Sequence, residues 1–118
     1  MRYLLMICND ESEMLAESPE ETAALMAGYG PFQEEMQTRG VLRDGARLRP
    51  ISDATTVKVR DGGTLTADGP FAETKEQIGG YYVVECADLD EAIGVASRIP
   101  HARTGTIEVR PIWEMEPE

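Results

Sequence analysis

The sequence predicts an α+β domain in which two helices pack on one face of a four-stranded antiparallel sheet. Three observations lead to this fold class. Two runs of residues are apolar at nearly every position, which is typical of central strands buried on both faces. Two stretches with apolar residues at helical spacing begin with capping signals. The elements follow the order strand, helix, strand, strand, helix, strand, and two right-handed crossover units of this kind place both helices on the same face.

The first strand and the first helix are predicted within residues 2 to 40. Arg2 to Cys8 is almost continuously apolar and is assigned as a central strand. Ser18 can cap a helix that has Pro19 at its first position and a capping-box glutamate behind it. We expect this helix to end at Gly40 and to bend at Gly30-Pro31, because an interior proline removes a backbone hydrogen bond. Its predicted buried stripe is Leu25, Tyr29, Phe32 and Met36.

The middle of the chain is predicted to hold the second strand followed by an extra hairpin. Val41 to Arg49 looks extended but has no clear alternation, and Pro50 to Asp53 reads as a connector. Thr55 to Arg60 alternates valine with basic residues, so we assign it as the second strand. Asp61-Gly62-Gly63 predicts a hairpin turn, after which Thr64-Leu65-Thr66 returns.

The remaining strands and helix are predicted in the second half of the chain. Ile78 to Cys86 is mostly apolar on both faces and is assigned as the second central strand. Asp88 caps the second helix, which Pro100 ends. Its predicted stripe is Leu89, Ala92, Ile93, Ala96 and Ile99. Thr106 to Met115 is the last strand. Its predicted apolar face is Ile107, Val109, Trp113 and Met115, and its predicted charged face is Glu108, Arg110 and Glu114.

The length, charge and hydrophobicity of the chain indicate how many domains it forms and which classes of partner are not expected. Its 118 residues suffice for a single domain over residues 1–118. Eleven Lys and Arg against 22 Asp and Glu give a net charge of −11, which repels a phosphate backbone, so we expect no direct contact with nucleic acid. No apolar run approaches the ~20 residues of a spanning helix, so no membrane partner and a cytoplasmic location are expected.

Two further expectations concern assembly and thiol chemistry. The two central strands are apolar on both sides while the helices cover only one, so we predict a homodimer in which a second sheet covers the open face. Cys8 and Cys86 end strands that we expect to be parallel neighbours, which would bring the thiols close. A functional disulfide is still not favoured, because the cytosol is reducing and such thiols are usually small buried apolar groups.

The most distinctive segment runs from Asp68 to Tyr82. Gly69-Pro70 is a turn dipeptide whose shape the proline fixes, and Asp68 can hold the turn through its side chain. Gly79-Gly80, immediately before a strand, indicates a β-bulge or a point where another backbone or a ligand comes close.

The segments Asp68-Gly69-Pro70-Phe71-Ala72-Glu73-Thr74-Lys75-Glu76, Gly79-Gly80-Tyr81-Tyr82 and Glu108-Val109-Arg110-Pro111 resemble the DGPF family, a branch of the YCII-related proteins. The resemblance extends from Arg2 to Met115. It implies a ferredoxin-like fold that pairs into a dimeric α+β barrel, in a family with no settled activity. Many wider YCII-related proteins carry a histidine in the first helix, proposed to act with an aspartate. This chain has no histidine between Pro19 and Gly40, so that pair is not carried over.

The candidate site is expected on the open face of the sheet. The side chains expected to point there are Lys58, Arg60, Glu108 and Arg110. The loop that begins at Asp68 should enter the third strand near the same face and contribute to one polar pocket. The residues predicted to be catalytic are Asp68, Glu73 and His101. The residues predicted to bind substrate are Lys75, Tyr82, Glu108 and Arg110. In a partly dry cleft, paired carboxylates can differ in pKa and perform acid–base chemistry, while Arg110 holds an anionic group.

Each of these residues also has a structural interpretation. Asp68 suits a turn, and Glu73 and Lys75 suit a solvated surface. Glu108 and Arg110 share a strand face and can simply pair with neighbouring charges. His101, the only histidine, lies in a loop with no partner evident in the sequence. There is no metal-ligand spacing, phosphate-binding glycine loop or serine elbow, so neither a metal nor a cofactor is expected.

Two hypotheses about function follow. The first is a small dimeric enzyme or binder of a small anionic or carbonyl-bearing molecule, with its acid–base residues in a cleft between the sheet face and the Asp68–Lys75 loop. The second is a noncatalytic dimeric module whose acidic surface, including Glu20 and Glu21, meets a protein partner. The DGPF resemblance adds weight to the second, because members are often encoded beside extracytoplasmic-function sigma factors, which implies a regulatory setting. Stabilisation by a small ligand would favour the first hypothesis.

Overall fold

A computed structural model describes residues 1–115 of the chain as an α+β fold built on a four-stranded antiparallel sheet. The strands are β1 (Arg2–Asn9), β2 (Leu42–Arg47), β3 (Thr55–Arg60), β4 (Gly63–Asp68), β5 (Gln77–Glu85) and β6 (Thr106–Pro111). The α-helices are α1 (Glu11–Leu15), α2 (Pro19–Met26), α3 (Tyr29–Thr38) and α4 (Leu89–Ser97). The main sheet has the order β2-β5-β1-β6, and β3 pairs with β4 in a separate two-stranded sheet. The predicted fold class is thus confirmed at the level of an antiparallel four-stranded sheet with few helices.

The core lies between the sheet and the helices. Along β1 and β5, residues alternate between fully buried and half-buried, so the helix-covered face carries residues such as Leu5 and Val84. Phe32 and Met36 from α3, and Val95 from α4, pack onto that face. The opposite face carries half-buried apolar residues and has no helix over it. The predicted central positions of these two strands are correct, because both separate the edge strands from each other.

The first predicted helix is divided in two. Ser18 caps α2 as expected, accepting a hydrogen bond from the Glu21 backbone N–H at 3.1 Å. The interruption comes at Ala27 and Gly28, earlier than the predicted bend. Pro31 falls in the first turn of α3, where its missing N–H leaves no helical hydrogen bond unmade. Residues 11–15, read from the sequence as a loop, form the short helix α1 after Asp10, whose side chain accepts from Ser12 N–H.

The second strand of the main sheet was wrongly assigned from the sequence. It is Leu42–Arg47, whereas Thr55–Arg60 and Gly63–Asp68 form the separate hairpin. The hydrophobic pattern does not identify β2, because β2 is an edge strand whose residues are mostly exposed and whose register is irregular between Leu42 and Asp44. The hairpin turn itself is confirmed, since Asp61 and Gly62 both have positive φ, as a type I′ turn requires.

Two other expectations are corrected. β1 and β5 run antiparallel, so Cys8 lies opposite Ile78 and the thiol of Cys86 is about 27 Å away at the other end of the sheet, at ~3.4 Å per residue. Both cysteines are free. The last strand ends at Pro111 instead of Met115, and Trp113 beyond it is 94% exposed. No helix among the described residues is long and apolar enough to cross a membrane.

Candidate functional site

A cavity of about 600 Å³ opens on the helix-covered side of the sheet, beside the C-terminal end of β1 and the N-terminal half of β5. Its floor is formed where Gly80 of β5 lies between Ile7 of β1 and Arg47 of β2. Gly80 places no side chain on this face, and the neighbouring Gly79 is skipped in the β1–β5 register as a bulge. The prediction that Gly79-Gly80 marks a bulge is confirmed. The glycines leave the floor open between the flanking strands.

A second glycine shapes the wall of the cavity. Gly45 of β2 pairs with Tyr82 of β5, and a Cβ atom built at Gly45 would lie 2.5 and 2.9 Å from ring carbons of Tyr82. The Tyr82 ring therefore lies directly against the β2 backbone. Its hydroxyl accepts a hydrogen bond from Gln33 Nε2 of α3 at 2.8 Å. This contact joins α3 to the sheet at the edge of the cavity.

The chemical centre of the cavity is a tyrosine–histidine pair. Tyr29, at the start of α3, places its hydroxyl 2.5 Å from Nδ1 of His101. His101 belongs to the 3-10 helix Pro100–Arg103, which precedes β6, and only 6% of its surface is exposed. Its Nε2 makes no hydrogen bond to any residue among 1–115. The second ring nitrogen of a buried imidazole is therefore free to meet a ligand in the cavity.

Burial biases both members of the pair toward their neutral forms. Burial lowers the pKa of His101 from its usual 6.5, and nearby Arg47 lowers it further, while Glu17 opposes this. Burial also raises the pKa of the Tyr29 hydroxyl to about 12. At neutral pH the pair is consequently an uncharged imidazole beside an uncharged phenol. Such an imidazole can accept a proton without first losing one.

Two further polar residues line the cavity. Asn9, at the end of β1, is 5% exposed, and its carboxamide packs so closely on Gly105 that no Cβ would fit there. The Asn9 side chain makes no hydrogen bond to any described residue. Arg47, the last residue of β2, also lies on the helix-covered face. It likewise has no hydrogen-bond or ion-pair partner within residues 1–115. The rest of the lining is largely apolar and includes Ile7, Met14, Met26 and Leu42.

The predicted site residues do not all meet. His101 and Tyr82 both line the cavity. Asp68 ends β4 of the separate hairpin, and Glu73 and Lys75 are exposed in the following loop. None of these three lines the cavity. At the start of the loop Gly69 has φ +92° and its carbonyl accepts from the Thr56 hydroxyl at 2.7 Å, whereas the Asp68 side chain, expected to hold this turn, makes no hydrogen bond to any residue among 1–115.

The charged residues of the last strand lie on the opposite side of the sheet from the cavity. Glu108 and Arg110 pair with Met6 and Leu4 of β1, as their predicted place on the open face requires. They form an ion pair with each other at 2.6 Å and are largely exposed. Lys58 and Arg60, also expected on that face, are instead on the hairpin. The cavity is therefore lined by none of the predicted charged residues Asp68, Glu73, Lys75, Glu108 and Arg110.

Sequence reasoning assigned none of the cavity residues Asn9, Tyr29, Gln33 and Arg47 to a site. Tyr29 was placed in the buried stripe of the first helix, where its hydroxyl has no visible partner in the sequence. Its partner His101 is 72 residues away along the chain. The one usable signal was the glycine pair at 79 and 80, which marks the floor. Among residues 1–115 no group of three or more His, Cys, Asp or Glu side chains is placed to hold a metal ion.

The fold and the cavity together define a small α+β protein with a hydrogen-bonded pair of a partly buried tyrosine and a buried histidine on the helix-covered side of its sheet. A protein-family model described as the YCII-related domain matches residues 1–116. The chain is also 41% identical over 119 residues to a protein of Rhizobium meliloti (strain 1021) named "Uncharacterized protein R00369", an alignment that covers 99% of this chain and 96% of that relative. The chain belongs to the YCII-related family.

Proposed function

We propose that this protein binds a small anionic or carbonyl-bearing molecule in the cavity and transfers a proton to or from it. The observation that carries the proposal is the hydrogen bond between Tyr29 and His101 inside a 600 Å³ cavity. A buried, neutral imidazole with one nitrogen held by a partner and the other unpartnered has the arrangement that general acid–base catalysis needs. The cavity volume is within the range of small-molecule sites.

The hydrogen bond of the pair can run in two directions, each with its own chemistry. If the Tyr29 hydroxyl donates to Nδ1, then Nε2 carries the proton and can donate to a carbonyl oxygen of the ligand. If Nδ1–H donates to the Tyr29 oxygen, then Nε2 has a free lone pair and can remove a proton from carbon next to that carbonyl. His101 thus takes the role of acid or base, and Tyr29 is its positioning residue.

This proposal moves the site from its expected place. The cleft expected between the open sheet face and the Asp68–Lys75 loop contributes no residue to the cavity. Asp68 and Glu73 are accordingly left out of the catalytic role, and His101 is retained. Tyr82 is retained as a ligand contact, because its ring forms part of the wall. We also propose that the chain belongs to the DGPF branch of its family, which the segment Asp68 to Glu76 supports.

Proton transfer can be tested by solvent exchange at carbon. Phenylpyruvate and phenylacetone share an aryl methylene next to a carbonyl, and only the first bears a carboxylate. In D₂O we expect the protein to accelerate loss of the methylene proton signal of at least one of them above the rate in buffer. The acceleration should disappear in His101→Gln and fall in Tyr29→Phe, while Glu73→Gln, outside the cavity, keeps it. Acceleration that survives in His101→Gln would contradict the proposal.

The protein is further proposed to act as a homodimer joined through the open faces of its main sheets. Leu4, Met6, Tyr81 and Val83 are only half-buried on that face. The chain measures 52 × 48 × 19 Å, and a thickness of 19 Å corresponds to one helix layer on one sheet. A sheet with an apolar second face gains stability when another layer covers it, and the same face on a second copy is self-complementary.

The alternative is a noncatalytic module that binds a protein partner. One feature favours it: the β3–β4 hairpin is separate from the main sheet and exposes Val57, Val59 and Leu65. A partner bound at the hairpin would be lost in Val57→Lys and Val59→Lys and kept in His101→Gln. The reverse pattern, with binding dependent on His101 alone, would remove the support for this alternative.

A further inference from the structure

We propose that the cavity selects a small apolar monocarboxylate, whose charged end pairs with Arg47 and whose second polar group meets Asn9 and His101. This inference rests on the proposed function, because it identifies the molecule on which His101 would act. The ligand is inferred to be an anion and not a neutral carbonyl compound, and specific residues are assigned to each of its two ends.

Arg47 is the first observation. It lies opposite Gly80 on the helix-covered face, and its charge acts on both members of the pair, since it adds to the burial that lowers the pKa of His101 and partly opposes the burial that raises the pKa of Tyr29. Several other arginines are engaged: Arg2, Arg49, Arg98 and Arg110 form ion pairs, and Arg43 donates to the Gly40 carbonyl. The Arg47 guanidinium has no partner within residues 1–115. Arg47 is solvent-exposed, so water hydrates its charge, and in a chain of net charge −11 a guanidinium that lines the cavity without a carboxylate partner is suited to holding a ligand carboxylate.

Asn9 is the second, independent observation. Its side chain is almost fully buried, lines the cavity and has no hydrogen-bond partner among the described residues. No described residue hydrogen-bonds this carboxamide, which lines the cavity, so it is available to donate to or accept from a polar group of a ligand there. Ile7 lies across Gly80 from Arg47, and Asn9 is two residues beyond Ile7, so the backbones of Asn9 and Arg47 are about 12 Å apart, by two strand spacings and about 7 Å along the strand. One ligand reaching both therefore needs two polar groups with a spacer between them.

The other lining residues indicate that the ligand is largely apolar and carries a single negative charge. Ile7, Met14, Met26 and Leu42 offer an apolar surface, and methionines adapt to irregular shapes. Two nearby carboxylates are already engaged, because Asp44 accepts from the Gly45 backbone N–H and Glu17 accepts from the Thr22 hydroxyl. Arg43 and Asp44 also line the cavity and carry opposite charges, so Arg47 leaves a net charge of one among these three residues, which matches one carboxylate. A phosphate, with two charges and more acceptors, finds no glycine-rich loop here.

The test compares phenylpyruvate with phenylacetone, which differ in the carboxylate, against the wild type and two charge-matched variants. Arg47→Gln removes the proposed anchor, and Arg60→Gln removes a hairpin arginine whose guanidinium donates only to the Val59 carbonyl. Affinity is measured by calorimetry. Binding in the cavity is reported by the NMR signal of His101, the only histidine of the chain. We expect phenylpyruvate to bind more tightly, and Arg47→Gln to weaken it about 10- to 100-fold with no change for phenylacetone.

Each outcome decides one point. Weaker phenylpyruvate binding in Arg47→Gln and unchanged binding in Arg60→Gln support the inference, and Asn9→Ala should then weaken both ligands. If both ligands shift the His101 signal equally, in the wild type and in Arg47→Gln, the choice of an anion is overturned while the proposed function stands. If neither ligand shifts the His101 signal, the inference and small-molecule binding at this cavity are both overturned.

Discussion

The Tyr29–His101 pair shows how burial prepares a side chain for proton transfer. A histidine in water is partly protonated near pH 6.5, and the charged form is favoured by hydration. At 6% exposure His101 loses that hydration, so its pKa falls and the neutral imidazole predominates. The bond to Tyr29 then fixes the ring in place. The protonation state of His101 therefore depends on how far the fold buries it, and the sequence around it, which reads as a loop, does not show that burial.

The lowered pKa of His101 predicts a pH dependence of stability. The His101 imidazole of the unfolded chain binds a proton near pH 6.5, and that of the folded chain binds it only at lower pH. The contribution of His101 to the free energy of unfolding is therefore complete above about pH 6.5 and declines as the pH falls toward the lowered pKa. Arg47 and Tyr29 face the ring without favouring its charge, and Glu17 partly does. We expect the free energy of unfolding to fall in a window that begins just below about pH 6.5, by at most about 1.4 kcal/mol per pH unit.

Urea denaturation at several pH values measures this dependence, with His101→Gln as the control. The decline within that window should vanish in the variant. Asp10 and Glu114 have lowered carboxyl pKa values and titrate at lower pH, outside the window. An unchanged decline in His101→Gln would show that other groups cause it.

Gly45 is predicted to be intolerant of even one methyl group. A Cβ atom would lie 2.5 Å from the Tyr82 ring and 3.0 Å from the Tyr81 carbonyl oxygen, so the ring must move and the Gln33 hydrogen bond must lengthen. Gly45→Ala should lower the free energy of unfolding by about 1–3 kcal/mol, the range for overpacked sites. Thermal or urea unfolding measures it. Gly30→Ala, with no atom within 4 Å of the added methyl, is the control and should not show this loss.

At the scale of elements, the helices and the edge strand follow different rules. α2 and α4 begin where side-chain caps are available, Ser18 and Asp88, because those caps satisfy backbone N–H groups locally. β2 has no such local cause. It exists because β5 offers hydrogen-bonding groups along its edge, so the assignment of residues 42–47 depends on a partner 33 or more residues away.

Helix α4 contains a site for stabilisation. Gly94 lies within the helix, is exposed, and has no atom within 4 Å of the point where an added methyl group would lie. Gly94→Ala should raise the free energy of unfolding by about 0.5–1 kcal/mol, because alanine restricts the unfolded chain and favours the helix. Gly28→Ala is a suitable comparison, since its Cβ would lie 3.0 Å from Pro100 Cγ, and we expect no gain there. A Gly94→Ala variant no more stable than wild type would contradict this prediction.

At the scale of the whole molecule, the chain is flatter than a closed domain. Its radius of gyration of 16.5 Å exceeds the ~13.5 Å expected for a compact domain of this length. The separate β3–β4 hairpin and the single helix layer both contribute to this shape. An apolar face without a second layer is the feature that a partner subunit would complete.

The proposed dimer predicts a mass of twice the 13.0 kDa chain in sedimentation equilibrium. Met6 lies on the open face between Tyr81 and Glu108, so Met6→Lys places a charge in the proposed interface and should shift the mass toward the monomer. Ile93→Lys, on the exposed side of α4, changes charge equally and should leave the mass unchanged. A monomeric wild-type protein would contradict the dimer without affecting the cavity, which lies on the other face.

The sequence by itself determined the elements whose signals are local. The apolar runs of β1 and β5, the cap of α2, the type I′ turn at Asp61-Gly62 and the Gly79-Gly80 bulge are consequences of neighbouring residues, so pattern alone finds them. Their order predicts the four-stranded α+β class, but not which segment forms the second strand or the antiparallel pairing of β1 with β5.

Only the tertiary structure decided which face holds the cavity and which residues meet there. His101 hydrogen-bonds to Tyr29 of α3. Arg47 lies at the cavity because it belongs to an edge strand that the sequence pattern did not identify, and Asp68 belongs to a separate hairpin. These placements depend on strand pairing and helix packing between residues far apart in the chain, and a single sequence does not contain the distances that such contacts require.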